Sequence, residues 1–189
     1  MLGLGLGVQK SAPSTKKQDF FIEQDNIPVG YFGDYSIDGT APEDSLTYTA
    51  DQSAPDSSTG WLKIQYPDSD QTSISGINKG DLVEAAATIA GRKFRVQFDV
   101  FLETAANWTE GAGNNTVTLE VLYGNTYFAV EVTPDQATSV STGIQTVSVS
   151  GQDRLTIFFR TAGDLPEANA TWYIKNFKIR QGKNDSIFP

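Results

Sequence analysis

The sequence predicts an all-β chain: an antiparallel β-sandwich of jelly-roll topology with an extended N-terminal arm. Three observations carry this expectation. Short runs of apolar/polar alternation recur along the chain, and alternation with period two marks a strand with one buried face. Turn-forming residues separate the runs at near-regular spacing, as in sandwiches. Only residues 80–90 offer helical spacing, through Leu82, Val83, Ala86 and Ala87, and that stretch is short.

Taken in order, the chain opens with MLGLGLGV. Leucines alternate with glycines, a strand pattern whose gaps let another backbone approach and whose glycines leave it too weak to hold itself. Leu2, Gly3, Leu4, Gly5, Leu6 and Val8 are therefore expected to form a partner-binding arm that adds to the sheet edge or groove of another subunit. Residues 9–17, with Ser11, Pro13, Ser14 and Lys16-Lys17, read as a solvated tether. The expected division is an arm and tether over 1–19, a sandwich over 20–182 and a tail over 183–189.

Within the sandwich, strands are expected at 20–24, 45–50, 61–66, 93–103, 116–123, 126–132, 144–149, 154–160 and 171–180. The clearest is 93–103, where Phe94, Val96, Phe98, Val100 and Leu102 share one phase and Arg95, Gln97 and Asp99 the other. Gly124-Asn125 reads as a two-residue hairpin turn, with glycine in first place suiting type II′. In 171–180, Trp172 and Ile174 lie in one phase and Phe177 and Ile179 in the other. A strand changes parity only by inserting a residue, so a β-bulge is expected at Lys175-Asn176.

Composition narrows the function. The 189 residues suffice for one domain with appendages. The chain has no cysteine and no histidine, which removes thiol chemistry, the commonest general base and the commonest metal ligand. A formal charge of -9 argues against nucleic acid and anionic membrane as partners. No apolar run is long enough to span a bilayer, and the opening residues lack the basic region and cleavage site of a secretory signal. Export is accordingly expected by lysis or as part of a particle. Four Asn-x-Ser/Thr triplets, at Asn107, Asn114, Asn169 and Asn184, read as chance. Glu120 and Glu131 fall on neighbouring expected strands, yet no spacing singles out a catalytic carboxylate pair, and the expectation is that the protein is not an enzyme.

Sugar binding needs exposed rings on which a pyranose face can stack. The candidates are Trp108, Tyr127, Trp61 and Trp172, with Tyr123 beside them. Trp108 leads, because it sits in the polar stretch AANWTE between two strands. Tyr127 follows, because it is out of phase with Phe128, Val130 and Val132 and belongs on the opposite sheet face.

The run of KFRVQFDVFLE (93–103), TVTLEVLYG (116–124), DRLTIFFRT (153–161) and ATWYIKNFKI (170–179) resembles the jelly-roll carbohydrate-binding modules attached to polysaccharide-degrading enzymes. The likeness covers about half of the chain and is one of pattern. The last segment is similar to the closing strand of that group, where an aromatic-isoleucine pair precedes Asp-Asn. The family's aspartate commonly helps to hold a structural calcium, and here it is Lys175. Glu23, Asp25 and Asn176 are the oxygen-bearing residues left for a metal, and no cofactor is expected. The opening MLGLG and its polar tether resemble the starts of bacteriophage virion proteins of tail, fibre or head-decoration sets. Together these imply a non-enzymatic virion structural protein. It would display a carbohydrate-binding-module-like sandwich, be anchored by its arm to other virion proteins in a homo-oligomer or larger assembly, and contact host-surface glycan. The other reading is a carbohydrate-binding module acting on polysaccharide outside a virion.

Overall fold

A computed structural model describes residues 20–36, 46–68, 75–79, 91–103, 108, 117–148, 155–160 and 168–183. Its strands are β1 (Phe20–Gln24), β2 (Gly33–Ser36), β3 (Thr47–Gln52), β4 (Trp61–Gln65), β5 (Ser75–Lys79), β6 (Lys93–Leu102), β7 (Val117–Tyr123), β8 (Thr126–Val132), β9 (Ala137–Ser141), β10 (Gln145–Thr146), β11 (Leu155–Arg160) and β12 (Thr171–Gly182). No helix occurs among the described residues. The arm, the tether and the helical spacing at 80–90 lie outside them.

The strands form two antiparallel sheets, a β-sandwich of jelly-roll type. The larger runs β10-β6-β12-β4-β3, with β1 beside β12 and β9 beside β6; the smaller runs β2-β5-β11-β7-β8. Alternating apolar residues of the longer strands face the space between the sheets. Leu62 and Ile64 of β4, Val96 and Val100 of β6, and Trp172 and Ile174 of β12 meet Leu119 and Val121 of β7 and Leu155, Ile157 and Phe159 of β11 in one core. Removing this area from water is the main driving force for closing the two layers.

The parity change in β12 is absorbed as the sequence requires. Lys175 is opposite Asp99 and Lys178 opposite Gln97, so two residues of β12 face Phe98 alone. Asn176 takes φ +53°, a left-handed conformation that asparagine tolerates better than most residues. Its amide N–H donates to the Asp25 carbonyl at 3.2 Å, and its side-chain nitrogen to Asp99 Oδ2 at 2.6 Å. The bulge lets Trp172, Ile174, Phe177 and Ile179 all enter the core.

Four details differ from the sequence expectation. β2, β5 and β9 (GDYS, SGINK and ATSVS) have too little alternation to be read locally. They are strands because β5, β11 and β6 pair with them, and pairing overrides weak intrinsic propensity. The strand expected at 144–149 shrinks to Gln145–Thr146, leaving Ile144 exposed and Val147 buried. The strand expected at 45–50 is displaced to Thr47–Gln52, with a register shift between Thr49 and Gln52 and Asp51 at φ +53°. Finally, Gly124 and Asn125 both have positive φ, +53° and +59°, which is type I′ rather than II′. A right-twisted hairpin takes either turn, and an asparagine able to enter the left-handed region selects I′. Replacing Asn125 with valine is expected to cost about 1–2 kcal/mol, whereas Asn125→Gly leaves stability unchanged; thermal melts of the two variants check this.

Candidate functional site

The register of the smaller sheet defines its outer face. One row crosses all five strands as Tyr35, Gly76, Phe158, Glu120 and Ala129, each directly opposite the next. The adjacent row is Gly33, Asn78, Thr156, Leu122 and Tyr127. Beyond the first row, Thr118 stands opposite Glu131, and its hydroxyl donates to Glu131 Oε1 at 2.9 Å.

This face carries both aromatic and polar residues. A Cβ at Gly76 would meet the Ile157 carbonyl at 2.3 Å and Phe158 Cβ at 2.6 Å, so only glycine lets β11 lie this close. Phe158 is fully buried yet belongs to neither apolar cluster of the fold. Its ring lies 6.1 Å from that of Tyr35 at an interplanar angle of 31°. The Thr156 hydroxyl is buried and has no hydrogen-bond partner. Asn78 reaches the Asp34 carbonyl at 2.6 Å. At the open end of the second row Tyr127 is 56% exposed. The expected phase of Tyr127, opposed to Phe128 and Val130, is what the structure has.

The three tryptophans are corrections. Trp108, Trp61 and Trp172 are no more than 1% exposed, so none offers a ring face to a sugar from solvent. Trp108 packs against Phe159 at 4.7 Å and Tyr66 at 5.8 Å, and its indole N–H donates to the Glu103 carbonyl at 2.9 Å. The polar residues around it do not expose it, because its ring plugs the end of the sandwich core. Trp172 is the second residue of β12 and packs on Phe159. Tyr123, also buried, donates its hydroxyl to Gln181 Oε1 at 2.8 Å, and burial pushes its ionisation well above the usual phenol range.

Trp61 belongs to a second cluster, with Ala54, Phe101 and Tyr173, on the outer face of the larger sheet. Its indole N–H donates to Ser58 Oγ at 2.8 Å. Lys175 lies 4.1 Å above its ring and donates to the Thr59 carbonyl at 3.3 Å, a cation–π cap. The Tyr173 hydroxyl donates to Glu103; desolvation, then that carboxylate, hold its ionisation above the phenol range.

Of the residues considered for a metal, the side chains of Glu23 and Asn176 have other partners. Glu23 forms an ion pair with Lys178, and Asn176 is bonded through its amide nitrogen to Asp99. The Asp25 carbonyl accepts from the Asn176 backbone. Among the described residues no group of three or more carboxylates stands ready for a metal ion.

The sequence reading missed Tyr35, Asn78, Thr156 and Phe158 as members of one face. Tyr35 and Asn78 sit on strands with no local signature. Phe158 did carry a signal: in LTIFFR it is a large apolar residue out of phase with Leu155, Ile157 and Phe159.

The architecture has counterparts among solved structures. The C-terminal family 22 carbohydrate-binding module of a Clostridium thermocellum xylanase superposes with a TM-score of 0.50 at 12% identity, covering 84% of this chain and 91% of that one. A xylan-binding domain of the same module family gives 0.50 at 12%, covering 91% and 99%. A two-module xylanase 10B fragment from Clostridium thermocellum, complexed with xylohexaose, gives 0.50 at 10%; the match takes 86% of this chain but spans only 28% of the xylanase chain. At these identities the likeness is one of fold. No family model matches the sequence, and no curated protein matches it.

Proposed function

We propose that the protein is a non-catalytic carbohydrate-binding module that recognises polysaccharide with the outer face of its smaller sheet. The observation that carries this reading is Tyr127, a ring left exposed on the outer face of β8, the last strand of the smaller sheet. An exposed ring supplies the stacking face that a sugar requires. The shared architecture with a family 22 carbohydrate-binding module and with a xylan-binding domain supports the reading. None of the structures named above is a virion protein, so this reading takes precedence over display on a phage particle.

Catalysis has less support. Glu120 and Glu131 are diagonal neighbours on the outer face, a relation that sets Cα atoms about 7–8 Å apart. Glu131, however, is exposed at the sheet edge and accepts from Thr118.

Affinity electrophoresis in gels containing xylan, soluble cellulose derivatives or mixed-linkage glucan tests the proposal. The protein is expected to be retarded by at least one glycan and to release no reducing sugar from it. Tyr127→Ala is expected to weaken retention about tenfold, equivalent to about 1.4 kcal/mol, with an unchanged melting temperature. No retardation by any polysaccharide would overturn the reading.

A further inference from the structure

Among the described strands none pairs with the outer edge of β8, and that edge fits a strand pattern that the sequence itself contains. We propose that residues 1–8 add antiparallel to β8 of the same molecule, as a sixth strand of the smaller sheet. This goes beyond the carbohydrate reading and does not depend on it.

The backbone of β8 defines the docking edge. Tyr123 and Thr126 flank a two-residue turn and pair directly, so they exchange both ladder bonds. By alternation, the N–H and C=O groups of Tyr127, Ala129 and Glu131 point away from β7. No described strand pairs with them. The β7–β8 ladder is unbroken over seven pairs, and β8 contains no proline or bulge and a single charge, Glu131. The other open edges are blunted: β2 has four residues and β3 is interrupted between Thr49 and Gln52. Such devices ordinarily protect an edge, and β8 lacks them. Phe128 and Val130 face the core but are only partly buried, so the core's rim is uncovered here.

The alternation of residues 1–8 matches this edge. With Leu6 opposite Phe128, Leu4 falls opposite Val130 and Leu2 opposite Val132, all in the core-facing phase. Gly7, Gly5 and Gly3 then fall opposite Tyr127, Ala129 and Glu131. The leucines would cover the rim, while the glycines leave the exposed ring of Tyr127 unobstructed.

Reach and direction select the same molecule. Phe20, Gln181, Phe94 and Gln145 stand opposite one another in sequence across the larger sheet, about 14 Å from first to last. Thr126 Oγ1 donates to the neighbouring Thr146 carbonyl at 3.0 Å, so β8 begins at the end where β1 begins. Residues 9–19 extend to at most about 36 Å and average about 18 Å as a flexible coil. A chain leaving Phe20 therefore arrives at Thr126 and runs along β8 in the opposite direction. Tethering of this length gives effective concentrations on the order of millimolar, which favours the same molecule over a second copy.

Hydrogen exchange on the full chain, compared with a Leu4→Asp/Leu6→Asp variant, tests this. The amides of Tyr127, Ala129 and Glu131 are expected to be protected and to exchange at least about tenfold faster in the variant. Leu119 and Val121, in the sheet interior, should not change, which confirms that the variant is folded. Because the chain has no cysteine, Gly5→Cys with Ala129→Cys is expected to oxidise to a single intramolecular disulfide at monomer mass, the paired Cα separation lying in the permitted range. Equal exchange rates in the two proteins overturn the proposal. So does a disulfide-linked dimer, which would place the segment on a second copy.

Discussion

A chain lacking Lys178 is expected not to fold, whereas a chain lacking Asn176, two positions earlier, is expected to fold. The contrast follows from the bulge in β12. Without Asn176, Lys175 still faces Asp99, Phe177 takes the place opposite Phe98, and Lys178 still faces Gln97. Trp172, Ile174, Phe177 and Ile179 then alternate regularly into the core. The losses are the bonds to the Asp25 carbonyl and the Asp99 carboxylate, about 1–3 kcal/mol together. Deleting Lys178 has no such solution. If the bulge is kept, Ile179 turns to solvent and Arg180 turns inward. If it is lost, Asn176 enters the core and Phe177 leaves it. Losing a buried phenylalanine costs about 3–5 kcal/mol and an unpaired buried amide about 1–3 more, against a total stability of about 5–15 kcal/mol. Circular dichroism and one-dimensional proton NMR of the two deletion variants distinguish the outcomes.

The second large effect is expected at Trp108. Trp108→Ala should destabilise the protein by about 3–5 kcal/mol and leave the glycan affinity of the folded fraction unchanged. The ring is buried between Tyr66, just after β4, and Phe159 of β11, so its removal leaves a cavity in the core. Urea unfolding combined with affinity electrophoresis separates the two quantities. Lower affinity at unchanged stability would return Trp108 to the binding surface and overturn its role as a core plug.

These two variants mark where local pattern was sufficient and where it was not. The bulge was readable because phase is a local property: four apolar residues in one segment cannot share a face without an inserted residue. Tyr127 was readable for the same reason, its phase being set by Phe128 and Val130 beside it. Trp108 was misread because its neighbours in the sequence are polar, whereas its neighbours in space come from strands far away along the chain. Trp61 likewise looked available, but Lys175 and Ser58 close over it. Asn78 and Tyr35 join the candidate face only because β5 and β2 are recruited by β11 and by each other.

By itself, then, the sequence determined the fold class, the phase of each long strand and the parity change near the C-terminus. Each depends on residues a few positions apart, whose side chains a pleated backbone must send to one face or the other. Tertiary structure decided which rings meet solvent and which short polar segments become strands. Those outcomes depend on what packs across the sandwich, between residues whose separation along the chain carries no periodic trace.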